Sequence, residues 1–196
     1  MGHMRNYNLF TLNSLWFLIT INFLIFLVTL VGIRAEKDIF YLFGLVPEQL
    51  LNRPWTIITS LFVHGGLWHI AFNMISLYFV GSLIIKLLGE GNFLKVYFAG
   101  GILGNIFYFF LGNSATPGFG ASGAIFALVG VLVVIMPKLP VYIFFIPKAF
   151  PLWGAVMVFV LFSFIPGISW QAHIGGLTLG LLAGLWFKKK RRAFYY

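Results

Sequence analysis

Long apolar stretches, separated by short polar or glycine- and proline-containing connections, occupy nearly the whole chain. Six of them, at 9–33, 67–88, 93–111, 122–136, 150–164 and 170–187, are predicted to be helices. A helix needs about 20 apolar residues to cross a hydrocarbon core of roughly 30 Å, and runs near that length leave no room for a soluble domain. The predicted fold class is therefore all-α: a polytopic membrane protein with six transmembrane helices, forming one domain over 5–196. The fifth stretch is the least regular. Lys148 stands between Pro147 and Pro151, so the segment from Val141 onward reads partly as connection and the helix is placed to begin near Phe150.

The connections refine this picture. The first, about 34–66, is long, and its Phe40, Tyr41, Leu42, Phe43, Leu50, Leu51 and Trp55 suggest an amphipathic element lying in the outer interface. Gly176, Gly180 and Gly184 recur every four residues on the sixth stretch, while Gly123, Ala127 and Gly130 form a small-residue stripe on the fourth. Such stripes let two helices approach closely, which by itself implies packing and no chemistry. Met1-Gly2-His3-Met4 reads as a vector scar, and the first apolar stretch lacks a small-residue cleavage site, as a retained helix would. There is no internal repeat of the kind that marks many transporters.

Composition agrees with a bilayer as solvent: 61% of residues are hydrophobic and 9% charged. The net charge of +9 does not point to nucleic acid, because five of the thirteen basic residues form the tail Lys188 to Arg192 directly after the sixth stretch. That tail places the C-terminus in the cytoplasm, and an even number of spans puts the N-terminus, with Arg5, on the same side. Lysines at 86–95 and 138–148 fall on the cytoplasmic side, whereas the loops 113–120 and 165–169 fall outside and carry no charge. In the long first loop, Arg34, Lys37 and Arg53 are accompanied by Glu36, Asp38 and Glu48. With no cysteine, a disulfide, a thiolate nucleophile and a cysteine metal site are all excluded.

Polar residues within spans carry the candidate chemistry. His69, Ser122 and His173 each lie near the outer beginning of a helix running inward, on the second, fourth and sixth stretches. Asn73 follows His69 by four residues and shares its helix face. A serine hydroxyl needs a base to take its proton, and neutral imidazole suits that exchange, which casts Ser122 as nucleophile and His173 as base. The tetrahedral intermediate needs preorganised donors, which the Ser122 backbone N–H, His69 and Asn73 could supply. Gly120-Ala121-Ser122-Gly123 gives the backbone freedom for a sharp loop-to-helix turn, and without the histidines Ser122 would read as a helix cap. From 122 to 136 the fourth stretch spans roughly 22 Å, short of the hydrocarbon core, so Ser122 is recessed. Glu36, Asp38, Glu48 and Glu90 all lie away from His173, which predicts a dyad whose base is oriented by packing, with Phe126 stacked on the imidazole.

These residues resemble the rhomboid family of intramembrane serine proteases. Gly120-Ala121-Ser122-Gly123 is similar to its G-x-S-G motif, His69 to Asn73 to its H-x-x-x-N motif, and His173 to Gly180, with Gly176, to its H-x-x-G-x-x-x-G motif. The resemblance runs from about Trp55 to Trp186. It implies a six-helix core, cleavage of single-span or other transmembrane substrates near the outer face, lipids as neighbours, and neither metal nor organic cofactor. It further implies a structural or water-binding role for His64, and gating by the fifth helix and the loop 165–169. The expected location is the prokaryotic plasma membrane, with the site opening toward the extracytoplasmic face. Two positions depart: Phe126 stands where a tyrosine is common, and Trp55-Thr56 where Trp-Arg is common. The alternatives are an inactive rhomboid-like scaffold that grips membrane helices, and a small transporter.

Overall fold

The computed structural model describes residues 13–34, 38–142 and 148–193. The expected scar, Arg5, the first residues of the span at 9–33, Glu36 and Lys37 lie outside the described residues. The structure is mainly helical: α1 Asn13–Arg34, α2 Ile39–Phe43, α3 Thr56–Thr59, α4 Leu67–Leu88, α5 Glu90–Leu111, α6 Ser122–Ile135, α7 Leu152–Phe162 and α8 Trp170–Ala193. By length and hydropathy, α1, α4 and α5 can each cross a bilayer, while α6 and α7 are shorter apolar helices of 14 and 11 residues.

Residue type explains the layering. Helix α1 buries Leu15, Leu18, Ile19 and Phe26 on one side yet exposes Phe17, Leu24, Leu27, Val28 and Val31 on the other. Water would penalise an apolar outer face of that extent, whereas hydrocarbon does not. Inside, α6 is enclosed by α4, α5 and α8, with Ala124, Ala127, Leu128 and Val131 fully buried. Small residues set the spacing. A Cβ on Gly104 would stand 2.7 Å from the carbonyl oxygen of Ala172, and one on Gly130 would stand 2.9 Å from that of Leu177. On Gly176 and Gly180 it would overlap the carbonyl oxygens of Gly123 and Ala127. The backbones of α6 and α8 therefore touch, as the glycine stripes suggested.

Three segments differ from the sequence-based expectation. The fifth helix begins at Leu152, two residues after Phe150, because Ala149–Pro151 (β2) pairs antiparallel with Pro140–Tyr142 (β1). Pro151 has ψ 142° and sits as the cap, where its ring and missing N–H block extension of the helix toward its N-terminus. The last helix continues past 187 to Ala193. Lys188 Nζ donates to the Val134 carbonyl at 3.1 Å, covering the C-terminal end of α6, and Lys190 lies 5.2 Å from the centre of the Trp186 ring. Helix α5 starts at Glu90, earlier than 93, and the Glu90 carboxylate accepts from both Ser14 N–H and Ser14 Oγ at 2.8 Å. One acidic side chain thereby satisfies free donors at the start of α1.

The long first loop holds α2, α3 and the tight turns Pro47–Gln49 and Ser60–Phe62. Ile39 is buried while Tyr41, Leu42, Phe43, Leu51 and Trp55 are exposed, so this segment offers an apolar outer surface. Arg53 Nη1 donates to Tyr41 O at 2.7 Å and Trp55 Nε1 to Leu42 O at 3.2 Å. Thr56 turns its hydroxyl back to Arg53 O. Arg53 thus fastens the loop from three residues earlier.

Candidate active site

The loop leading into α6 is held from two sides. Leu45 and Gly118 exchange both backbone hydrogen bonds, at 2.8 and 2.9 Å, and Gly120 N–H donates to Ser60 O at 2.8 Å. Ser60 is itself fixed, since Asn105 Nδ2 on α5 reaches both Ser60 Oγ and Ile57 O at 2.8 Å. The chain then turns at Gly120, whose φ of +123° is unfavourable for any residue with a Cβ. A Cβ there would also lie 2.7 Å from His69 Nε2 and 3.9 Å from Ser122 Oγ. Glycine at this position lets α4 bring His69 against the start of α6.

Ser122 opens α6, and its Oγ lies 2.7 Å from His173 Nε2 on α8. The Phe126 ring, one turn later, is parallel to the imidazole at a centroid distance of 4.4 Å and an angle of 16°. The other ring nitrogen, His173 Nδ1, lies 2.7 Å from the hydroxyl of Ser163. Ser163 follows the last turn of α7 and is buried. It is absent from the sequence-based site. The available signal was weak but real, because Ser163 is the single polar residue of the stretch 150–164 and lies near its C-terminal end.

His69 and Asn73 sit on one face of α4, and Asn73 Nδ2 donates to His69 O at 2.8 Å. Gly65 N–H donates to His69 Nδ1 at 3.4 Å, so the ring proton resides on Nε2, the nitrogen beside Gly120 and Ser122. Asn73 spends one amide proton within its own helix and keeps the other. His64 is buried in the connection before α4, with Nδ1 donating to Phe62 O at 3.2 Å and the His69 ring 5.0 Å away. Its Nε2 is buried without a partner. Burial, and secondarily the neighbouring His69, pushes the His64 imidazole down to about 3, so it is neutral at physiological pH. Beyond α7, Phe164, Ile165 and Ile168 are exposed, and Phe164 stacks on Trp170 at 5.4 Å.

Among the described residues, no group of three or more His, Asp or Glu side chains is placed to hold a metal ion. The chemistry on offer is that of a hydroxyl in contact with imidazole, beside an N–H donor on a second histidine.

Residues 51–190 match the family model for the Rhomboid domain. The chain is 34% identical over 165 residues to "RHOMBOID-like protein 12, mitochondrial" of Arabidopsis thaliana, covering 73% of this chain and 49% of the plant protein. It is 34% identical over 151 residues to "Putative rhomboid protease YdcA" of Bacillus subtilis, covering 71% of each. To "Rhomboid protease GluP" of the same organism it is 31% identical over 165 residues, or 81% of this chain and 31% of that one. The chain thus spans about half the length of the plant relative and less of GluP. Mitochondrial proteins stand beside bacterial ones among these relatives, so they give no support to the prokaryotic plasma membrane in particular. The matched region extends slightly beyond the limits of 55 to 186 expected from the motifs, and on this match the chain is a membrane protein that belongs to the rhomboid family.

Proposed function

We propose that this protein is an intramembrane serine endopeptidase that hydrolyses peptide bonds in or near transmembrane segments of other membrane proteins. The observation that carries the reading is the 2.7 Å contact between Ser122 Oγ and His173 Nε2 at the start of two adjoining helices. Ser122 Oγ attacks the scissile carbonyl carbon while His173 Nε2 takes its proton, and the imidazolium returns that proton to the leaving amine. The negative oxygen is met by the Ser122 N–H and His69 Nε2–H, with the free Asn73 amide proton as a further donor. Water then hydrolyses the acyl-enzyme, with His173 again as base. Gly120 and Gly123 leave room for this turn, Phe126 holds the ring plane, and Gly176 and Gly180 bring α8 close enough for His173 to reach. His64 supports His69 from behind.

In this reading residues 5–196 form one domain, with α1, α4, α5, α6, α7 and α8 as six spans and both termini in the cytoplasm. This orientation puts the lysines at 138, 148 and 188–190 on the cytoplasmic side, as the excess of basic residues there requires. Ser122 then faces the extracytoplasmic side from within the bilayer, where its substrates reside.

The test is cleavage of a single-span reporter in liposomes by the wild type, Ser122→Ala and His173→Ala. Both variants are expected to lose activity by at least about 10³-fold. A fluorophosphonate probe should label the wild type and not Ser122→Ala. Cleavage that survives either substitution would overturn the proposed dyad, and a wild type that neither cleaves nor labels would overturn the protease reading in favour of an inactive helix-binding scaffold.

A further inference from the structure

We infer that Ser163 is a positioning residue for His173, fixing the proton on Nδ1 so that Nε2 presents its lone pair to Ser122. The inference rests on the proposed roles of Ser122 and His173. Its physical content is a count of protons. The Ser163 hydroxyl carries one hydrogen, and Ser163 Oγ lies 2.9 Å from Phe159 O, an acceptor that has no proton to give. That contact uses the hydrogen. Ser163 Oγ therefore faces His173 Nδ1, at 2.7 Å, as an acceptor, and the hydrogen between them belongs to the imidazole. In the neutral ring Nε2 is then bare and accepts from Ser122 Oγ–H at 2.7 Å. The relay runs from Ser122 through His173 and Ser163 to a backbone carbonyl.

No carboxylate is needed for this. A buried acid would orient the ring and stabilise the imidazolium by charge, whereas a hydroxyl held by its own helix orients the ring and leaves the site uncharged, which suits a low-dielectric setting. The arrangement also ties the base to α7. After Val156, every residue of α7 is at least partly exposed until Ser163, which is 2% exposed. The C-terminal end of α7 is thus seated on the core through the residue that orients the base.

The test uses the full chain reconstituted in liposomes for kinetics and in detergent micelles for spectroscopy. Ser163→Ala should lower kcat about tenfold, the scale of one buried hydrogen bond, with KM within about twofold. Ser163→Thr keeps a hydroxyl that can bond the carbonyl four residues back and should recover most of the rate. With ¹⁵N-histidine labelling, His173, assigned by its loss in His173→Gln, should show a protonated Nδ1 and a bare Nε2 in the wild type. In Ser163→Ala the two nitrogens should average between tautomers. An unchanged kcat in Ser163→Ala, or a lowered kcat with the His173 tautomer unchanged and no recovery in Ser163→Thr, overturns the inference. A wild type without cleavage whose Nδ1–H still depends on Ser163 overturns the protease reading and leaves the positioning role standing.

Discussion

Gly120 concentrates two constraints in one residue. Its backbone is in a region that a Cβ disfavours, and the space where a Cβ would stand is taken by His69 Nε2. Gly120→Ala should therefore displace both the turn and the histidine, lowering stability by about 1–3 kcal/mol and reporter cleavage by at least tenfold. Wild-type activity with an unshifted melting temperature would show the space to be more yielding. His64 makes a different claim. Its folded value of about 3 lies below the ordinary value of 6.5, so between those limits the unfolded chain binds the extra proton. The stability this burial provides is complete above about pH 6.5 and falls as the pH drops toward 3. Unfolding followed from pH 7 to pH 4 should show a smaller acid loss in His64→Gln than in the wild type, and equal losses would refute the assignment. Of these residues, Gly120, His69, Ser122 and His173 were legible as motif members. Ser163 was not, because one serine at the end of an apolar stretch gives no sign of which helix its hydroxyl will meet.

At the scale of the elements, the contact between α6 and α8 decides whether Ser122 and His173 can meet. Gly180 lies against the Ala127 backbone, so Gly180→Val should force the helices apart and cost about 1–3 kcal/mol of stability through overpacking. Activity should fall with it, as the 2.7 Å contact between Ser122 and His173 opens. Thermal unfolding and reporter cleavage measured side by side check this, and a stable, fully active variant would contradict the packing argument. Helix positions were readable from hydropathy to within a few residues for α4, α5 and α6. The β1–β2 pairing before α7 was not, because its three-residue strands are too short to impose an alternating pattern and Pro151 reads equally as loop or cap.

Across the whole molecule, the proposed orientation has a direct test because the chain contains no cysteine. Single cysteines at Ser114 and at Lys148, both exposed, should react with a membrane-impermeant maleimide from opposite sides of a sealed vesicle. Ser114→Cys is expected to react from the extracytoplasmic face and Lys148→Cys from the cytoplasmic face, and labelling of both from one face would refute the topology. The first loop belongs to this scale as well. Leu45 and Ser60 grip the segment from Gly118 to Gly120, and Asn105 grips Ser60, so residues far apart in sequence share one support for the turn into α6. The sequence by itself determined the apolar segments, the charge asymmetry and the family motifs, because hydropathy and residue spacing are local quantities written along the chain. Only the tertiary structure decided the partners of Ser60, Asn105 and Ser163. Those hydrogen bonds depend on the rotation and depth of each helix relative to its neighbours, and packing among all the helices sets them.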